Sequence, residues 1–98
     1  MLHKRPVADG KVEVTFELPA SLWADAIYLV GSFNQWDQRS HPLKQRHSDG
    51  AWEITLTLEA GREYRFRYLV NGAEWQNEWQ ADGHVPNPHG SEDSVVVP

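Results

Sequence analysis

Apolar and polar residues alternate along three stretches of the chain. Val12, Val14, Phe16 and Leu18 fall at every second position, with Lys11, Glu13, Thr15 and Glu17 between them. Trp52, Ile54, Leu56 and Leu58 alternate in the same way with Glu53, Thr55 and Thr57, and Tyr64, Phe66, Tyr68 and Val70 with Glu63, Arg65, Arg67 and Leu69. A period of two belongs to a half-buried strand with one packed face and one wet face. Ala26–Gly31 and Ser94–Val97 are shorter runs of strand-favouring residues. Turn signals separate the runs: Pro19, Asp49-Gly50, Gly61, and Asn71-Gly72, the strongest hairpin signal in the chain. Residues 20–25 are a connection of at most one helical turn. Arg39–Lys44 is held to an edge or a loop by Pro42. Ala73–Gln80 carries Trp75 and Trp79, and residues 82–90, with two prolines and two glycines, are expected to be irregular. Residues 1–10 read as a tail ending at Asp9-Gly10. With no heptad, long amphipathic helix or repeat, the pattern predicts an all-β protein. The expected form is an antiparallel β-sandwich over residues 11–98, in one domain.

Composition narrows the functions open to such a sandwich. A chain of 98 residues is one domain with one modest core. It has no cysteine, so packing alone holds it and no thiol chemistry is available. Its net charge of −5 argues against nucleic acid and anionic membranes as partners. No apolar run reaches the ~18 residues of a membrane span, and no signal core follows the basic N-terminus. The expected location is cytoplasmic. Five tryptophans exceed what so small a core can absorb, so some are expected at the surface.

The turn Gly31-Ser32-Phe33-Asn34-Gln35-Trp36-Asp37 offers the first candidate. Gly31 tolerates backbone angles that other residues avoid. Asn34 and Asp37 can bond their own backbone, and Trp36 sits among polar neighbours. The plain alternative is that Trp36 lids the end of the sandwich. Trp75, just past the Asn71-Gly72 turn, is the second candidate, against the alternative of cross-strand packing. Trp52 belongs to the core by its alternation, Trp23 is ambiguous, with a cap on one end of the core as its plain reading, and Trp79 is a third platform residue or a packing anchor. Arg67 is on a wet strand face, free to contact ligand or to pair with Glu53 or a neighbour. Gln35, Asn71 and Asn77 are polar candidates of types that turns also use.

Two patterns resemble catalytic chemistry. Glu74, Glu78 and Asp82 are spaced by four, but nearby Gly83 and Pro86 argue against a helix, and a solvated acidic edge is the expectation. His84 and His89 flank a proline-rich loop without cysteine or an HExxH-type spacing, so no metal or other cofactor is expected. A glycosidase would need two carboxylates across a cleft, for which a sandwich this small has little room.

Three motifs carry a resemblance: the 31–37 turn; Glu63-Tyr64-Arg65-Phe66-Arg67-Tyr68-Leu69-Val70-Asn71-Gly72 with Trp75; and Asn87-Pro88-His89-Gly90 through Ser94-Val95-Val96-Val97. In this order they resemble a family-48 carbohydrate-binding module over residues 11–97. Similar domains are the early-set, immunoglobulin-like N-terminal domains of isoamylases and branching enzymes, and the glycogen-binding domain of the AMP-activated protein kinase β-subunit. The resemblance implies an early-set β-sandwich and an α-1,4-glucan ligand: glycogen, starch or a maltooligosaccharide. It implies that Trp36 and Trp75 stack on sugar faces and that Arg67 bonds sugar hydroxyls. Asp93 falls where relatives often carry asparagine, and a carboxylate there accepts hydrogen bonds but cannot donate them.

The chemistry fits such a ligand. A glucose ring has faces of C–H bonds that an indole can cover and an equator of hydroxyls that need polar partners. The expectation is a non-catalytic glucan-binding module, monomeric or weakly dimeric. A glycogen-metabolising enzyme or other protein in trans is a further expected partner. The rival reading is a scaffold domain of the same fold that binds protein and no sugar. A small enzyme ranks below both.

Overall fold

The computed structural model describes residues 1–22, 24–88 and 90–98. Among them nine strands form: β1 (Leu2–Ala8), β2 (Lys11–Leu18), β3 (Ile27–Gly31), β4 (Lys44–Gln45), β5 (Trp52–Glu59), β6 (Tyr64–Val70), β7 (Glu74–Gln76), β8 (Gly83–Pro86) and β9 (Glu92–Val96). They make two antiparallel sheets, one in the order β1-β2-β5-β4 and one in the order β3-β6-β9-β8, with β7 also paired to β6. No described helix is long and apolar enough to cross a membrane.

The alternating runs explain the layers. Val12, Val14, Phe16 and Leu18 of β2 face Phe66, Tyr68 and Val70 of β6 across the core. Phe16 and Phe66 meet edge to face with ring centroids 5.0 Å apart, a favoured aromatic geometry. Trp52 is buried, as its alternation predicts. The β2–β5 register sets Glu17 against Glu53, a like-charge pair that would repel. Arg46 Nη1 bridges them, at 2.9 Å from Glu17 and 3.1 Å from Glu53.

Three expectations are corrected. The N-terminal segment is not a tail: Leu2–Ala8 pairs with β2 as an edge strand. Its residues are almost all exposed, so burial left no alternation to read. The 82–90 loop is not wholly irregular, since Gly83–Pro86 pairs with β9 at the opposite sheet's edge, where Pro86 is the last strand residue. The acidic series is a solvated edge only in part: Glu74 and Asp82 are exposed, and Glu78 is not. Glu78 is 1% exposed. It accepts the Tyr68 hydroxyl proton at 2.9 Å and pairs with the Met1 ammonium. Burial, then the adjacent Glu78 carboxylate, raises the Tyr68 pKa well above the usual phenol value, so Tyr68 remains a donor. A buried tyrosine needs such a partner.

β1 also ties the two sheets together. Lys4 Nζ lies 2.7 Å from Asp82 Oδ2, and the same oxygen accepts the Val97 amide at 2.7 Å. Burial pushes the Asp82 carboxyl up, but the hydrogen bonds from Lys4 and Val97 outweigh it and hold the carboxyl below its ordinary value. A carboxyl depressed in the folded state adds stability above its unfolded pKa of about 3.9 and loses it as pH falls through the folded value. Asp82→Asn is therefore expected to lower the urea midpoint at pH 7 by the equivalent of under ~1 kcal/mol, as for other exposed pairs. The difference from the parent shrinks as pH falls below about 4; urea titrations at pH 7, 5 and 3 check this.

Candidate functional site

The turn after β3 presents Trp36, and its first requirement is space. Gly31 has φ −169° and ψ −175°, an extended conformation open to any residue. Unusual angles therefore do not explain this glycine. A Cβ there would lie 2.5 Å from the Arg65 carbonyl oxygen, 2.8 Å from Cζ of Phe33 and 2.9 Å from Cβ of Phe66. The close approach of β3 to β6 is what excludes a side chain. The left-handed angles fall instead on Gln35 and Trp36, at φ 56° and 60°. Two such non-glycine residues cost about 1–2 kcal/mol each, strain that persists only where surrounding contacts impose it.

Those contacts centre on Asn34, which is buried. Its Oδ1 accepts the Gly31 amide at 3.1 Å. Its Nδ2 donates to the Leu29 carbonyl at 3.1 Å and to His41 Nδ1 at 2.9 Å. The Trp36 amide returns to the Gly31 carbonyl at 2.9 Å, and Asp37 Oδ1 accepts the Arg39 amide at 2.8 Å. Phe33 packs its ring near Phe16 and Tyr64, pinning the turn to the core.

The turn holds Trp36 over the outer face of the five-stranded sheet. Trp75 reaches that face from β7, where it pairs with Leu69 of β6. Between the two indoles is a groove of about 630 Å³. Its walls and floor include Val30, Arg65, Arg67 and Asp93, with Ser32, Gln38, Asn87 and Pro88 around them. Trp36 is 40% exposed and Trp75 39%, so neither ring is a core residue.

Charged side chains stand in the floor. The Arg67 guanidinium carbon sits 5.7 Å from the Trp75 ring centroid, and Nη1 donates to Ser91 Oγ at 3.1 Å. Its buried Nε has no hydrogen-bond partner among the described residues. Arg67 does not pair with Glu53, which lies on the other sheet and pairs with Arg46. Asp93 is 7% exposed, inside β9 rather than before it, and accepts from Asn87 Nδ2 at 3.1 Å.

Trp36, Trp75, Arg67 and Asp93 thus share one groove, while Gln35 and Asn71 do not line it. Gln35 is exposed in the left-handed link before Trp36. Asn71 occupies the hairpin turn with φ 54°, and its Oδ1 accepts the Asp25 and Ala26 amides at 2.7 and 3.2 Å. That side chain holds the hairpin to the segment before β3. Asn77 donates to the Glu92 carbonyl at 2.9 Å. Arg65, Gln38 and Asn87 are groove residues that sequence reasoning missed. Arg65 could have been found, because it sits two residues before Arg67 on one strand and so shares its face. Trp23 and His89 lie outside the described residues, so the expectations for Trp23 and for the His84–His89 pattern are not followed further. Among the described residues no group of three or more His, Cys, Asp or Glu side chains could hold a metal ion.

Gly31→Ala is expected to destabilise the fold by about 3 kcal/mol, at the upper end for overpacking, since backbone rather than a flexible side-chain tip blocks the methyl. Chemical denaturation measures this. A loss below about 0.5 kcal/mol would mean that β3 does not press on β6 as described.

The chain matches the model for carbohydrate-binding module 48 (isoamylase N-terminal domain) over residues 6–84. Among similar proteins is the 1,4-alpha-glucan branching enzyme GlgB of Ralstonia nicotianae, 39% identical over 70 residues, covering 66% of this chain and 8% of that enzyme. The branching enzyme of Pseudomonas syringae pv. syringae is 42% identical over 53 residues, covering 50% of the chain and 7% of the enzyme. That of Thiobacillus denitrificans is 42% identical over 58 residues, covering 55% and 8%. The chain therefore spans less than a tenth of the length of these relatives. The family match, the two antiparallel sheets and the order of the motifs agree: the chain belongs to the carbohydrate-binding module 48 family.

Proposed function

We propose that the groove between Trp36 and Trp75 binds α-1,4-glucan without transforming it. One observation carries this reading: two half-exposed indoles stand on one concave face with charged side chains in its floor. The rings cover the C–H faces of successive glucose units, and their separation by a groove suits a chain that curves. Arg67, held against Trp75, and Arg65 donate to sugar hydroxyls. Asp93 accepts from one.

A two-carboxylate hydrolysis would need a second acid in the groove. Among the described residues lining it, Asp93 is the one carboxylate. The matched relatives are branching enzymes, and a module of this kind would hold the polymer near an associated catalytic unit.

Each stacked ring removes roughly 100 Å² of apolar surface from water, about 2.5 kcal/mol at ~25 cal/mol/Å². Hydrogen bonds to the sugar hydroxyls add to the two-ring total and ordering costs offset part of it, and the expected Kd is between about 10 μM and 1 mM. Titration with maltoheptaose or β-cyclodextrin, followed by tryptophan fluorescence, is expected to saturate in that range. Trp36→Ala and Trp75→Ala each weaken binding by about tenfold or more, with little change in stability because both rings are already half exposed. A folded protein that gives no response at millimolar ligand would remove the sugar reading and leave the scaffold alternative.

A further inference from the structure

The most exposed large apolar side chain among the described residues lies outside that groove. Trp79 is 93% exposed. Yet the chain on both sides of it is fixed. The Glu78 amide donates to Ser94 Oγ at 2.8 Å, and the Gln80 amide to Glu78 Oε2 at 2.8 Å. His84 Nε2 meets the Glu78 carbonyl at 3.1 Å, and Ser94 Oγ donates to Asn77 Oδ1 at 3.0 Å. The buried Glu78 carboxylate is the centre of this anchorage. Burying a carboxylate is costly unless its oxygens are bonded, and these bond Tyr68 on one side and the Gln80 amide on the other. The result is an indole with water on nearly all sides, carried on a backbone that has little freedom left to lose.

Trp79 stands at the edge of a second concavity, of about 510 Å³, shared with Gln76, Asn77, His84 and Glu92. The side chains of Gln76 and Glu92 make no hydrogen bond or ion pair with other described residues, so one donor–acceptor amide and one acceptor carboxylate face the ring's surroundings unpaired. This concavity backs onto the first. Trp75 and Asp93 line the groove on the outer face of the sheet, while their neighbours Gln76 and Glu92 line the second. Successive residues of a strand point to opposite faces.

We infer that Trp79 is a second, independent stacking plate for α-glucan, so that one module holds two polymer segments across the β7–β9 edge. The ligand class rests on the reading of the first groove; the position and chemistry of the second site do not. A protein partner fits less well. Interface hot spots are packed within a ring of further contacts that excludes water, and the other residues lining Trp79's concavity, among them Gln76, Asn77, His84 and Glu92, are polar. A lone plate surrounded by hydroxyl partners matches a sugar face. One plate gives weak, millimolar binding to a short sugar, and its effect appears on polymer, where a second contact on the same particle acts as avidity.

The test is a ¹H–¹⁵N NMR titration of the five indole N–H signals, assigned by single Trp→Phe variants, with maltotriose to about 20 mM. The Trp79 signal is expected to shift along its own saturation curve, and to do so still in the Trp36→Ala/Trp75→Ala double variant. In amylopectin affinity gels Trp79→Ala is expected to reduce retention several-fold, while its maltoheptaose affinity by tryptophan fluorescence stays within about twofold of the parent. A Trp79 signal that stays still while those of Trp36 and Trp75 shift overturns the second site and leaves the first. A Trp79 signal that moves only when the first groove is intact overturns its independence. If Trp79 shifts and the other two do not, the second site stands and the first reading fails.

Discussion

The double pairing of β6 is the constraint on which the rest depends. Along one edge it pairs with β3, from Ile27↔Val70 to Gly31↔Phe66. Along the other it pairs with β9 through Tyr64–Phe66 and with β7 through Tyr68–Val70. A strand held on both sides cannot slip by one residue without turning its apolar set out to water. Phe66 and Tyr68 are fully buried, and that fixes Arg65 and Arg67 on the opposite face. The core and the floor of the groove are two sides of one alternation. The strands beside β6 then deliver the indoles, β3 through its terminal turn and β7 directly.

Strain and satisfaction are distributed around that strand in a consistent way. The left-handed pair Gln35–Trp36 is set on a turn whose buried Asn34 makes three hydrogen bonds. The buried carboxylate of Glu78 is likewise saturated. In both places an unfavourable local feature stands next to an exposed indole, and a buried polar side chain fixes the backbone that carries it. Backbone strain of this kind points toward function when the outlier itself is observed, and here it is the residue bearing the ring.

Most of the fold was legible because three strands have one wet face. β2, β5 and β6 declare themselves by period, and Asn71-Gly72 by turn chemistry. β1 was not legible, since an exposed edge strand of mixed charge carries no burial pattern. β8 was hidden by Gly83 and Pro86, which propensity assigns to loops and which an edge strand tolerates. Gly31 was legible as important but for another reason: the crowding that demands glycine comes from β6, more than thirty positions away in the chain. Glu78 was missed because spacing by four suggests a solvated series. The signal that could have found it was Tyr68, a phenol at a core-facing position that must have an acceptor. At the site, alternation could place Arg67 and Arg65 on one face, but no local pattern shows that Asn87 and Gln38 come to the same groove, since tertiary folding brings them there.

The most direct measurement is a crystal structure of the protein with maltoheptaose. The account predicts consecutive glucose rings lying flat against Trp36 and Trp75, with the Arg67 guanidinium within hydrogen-bond distance of a sugar hydroxyl. Sugar bound elsewhere, with both of these indoles uncovered, would contradict it.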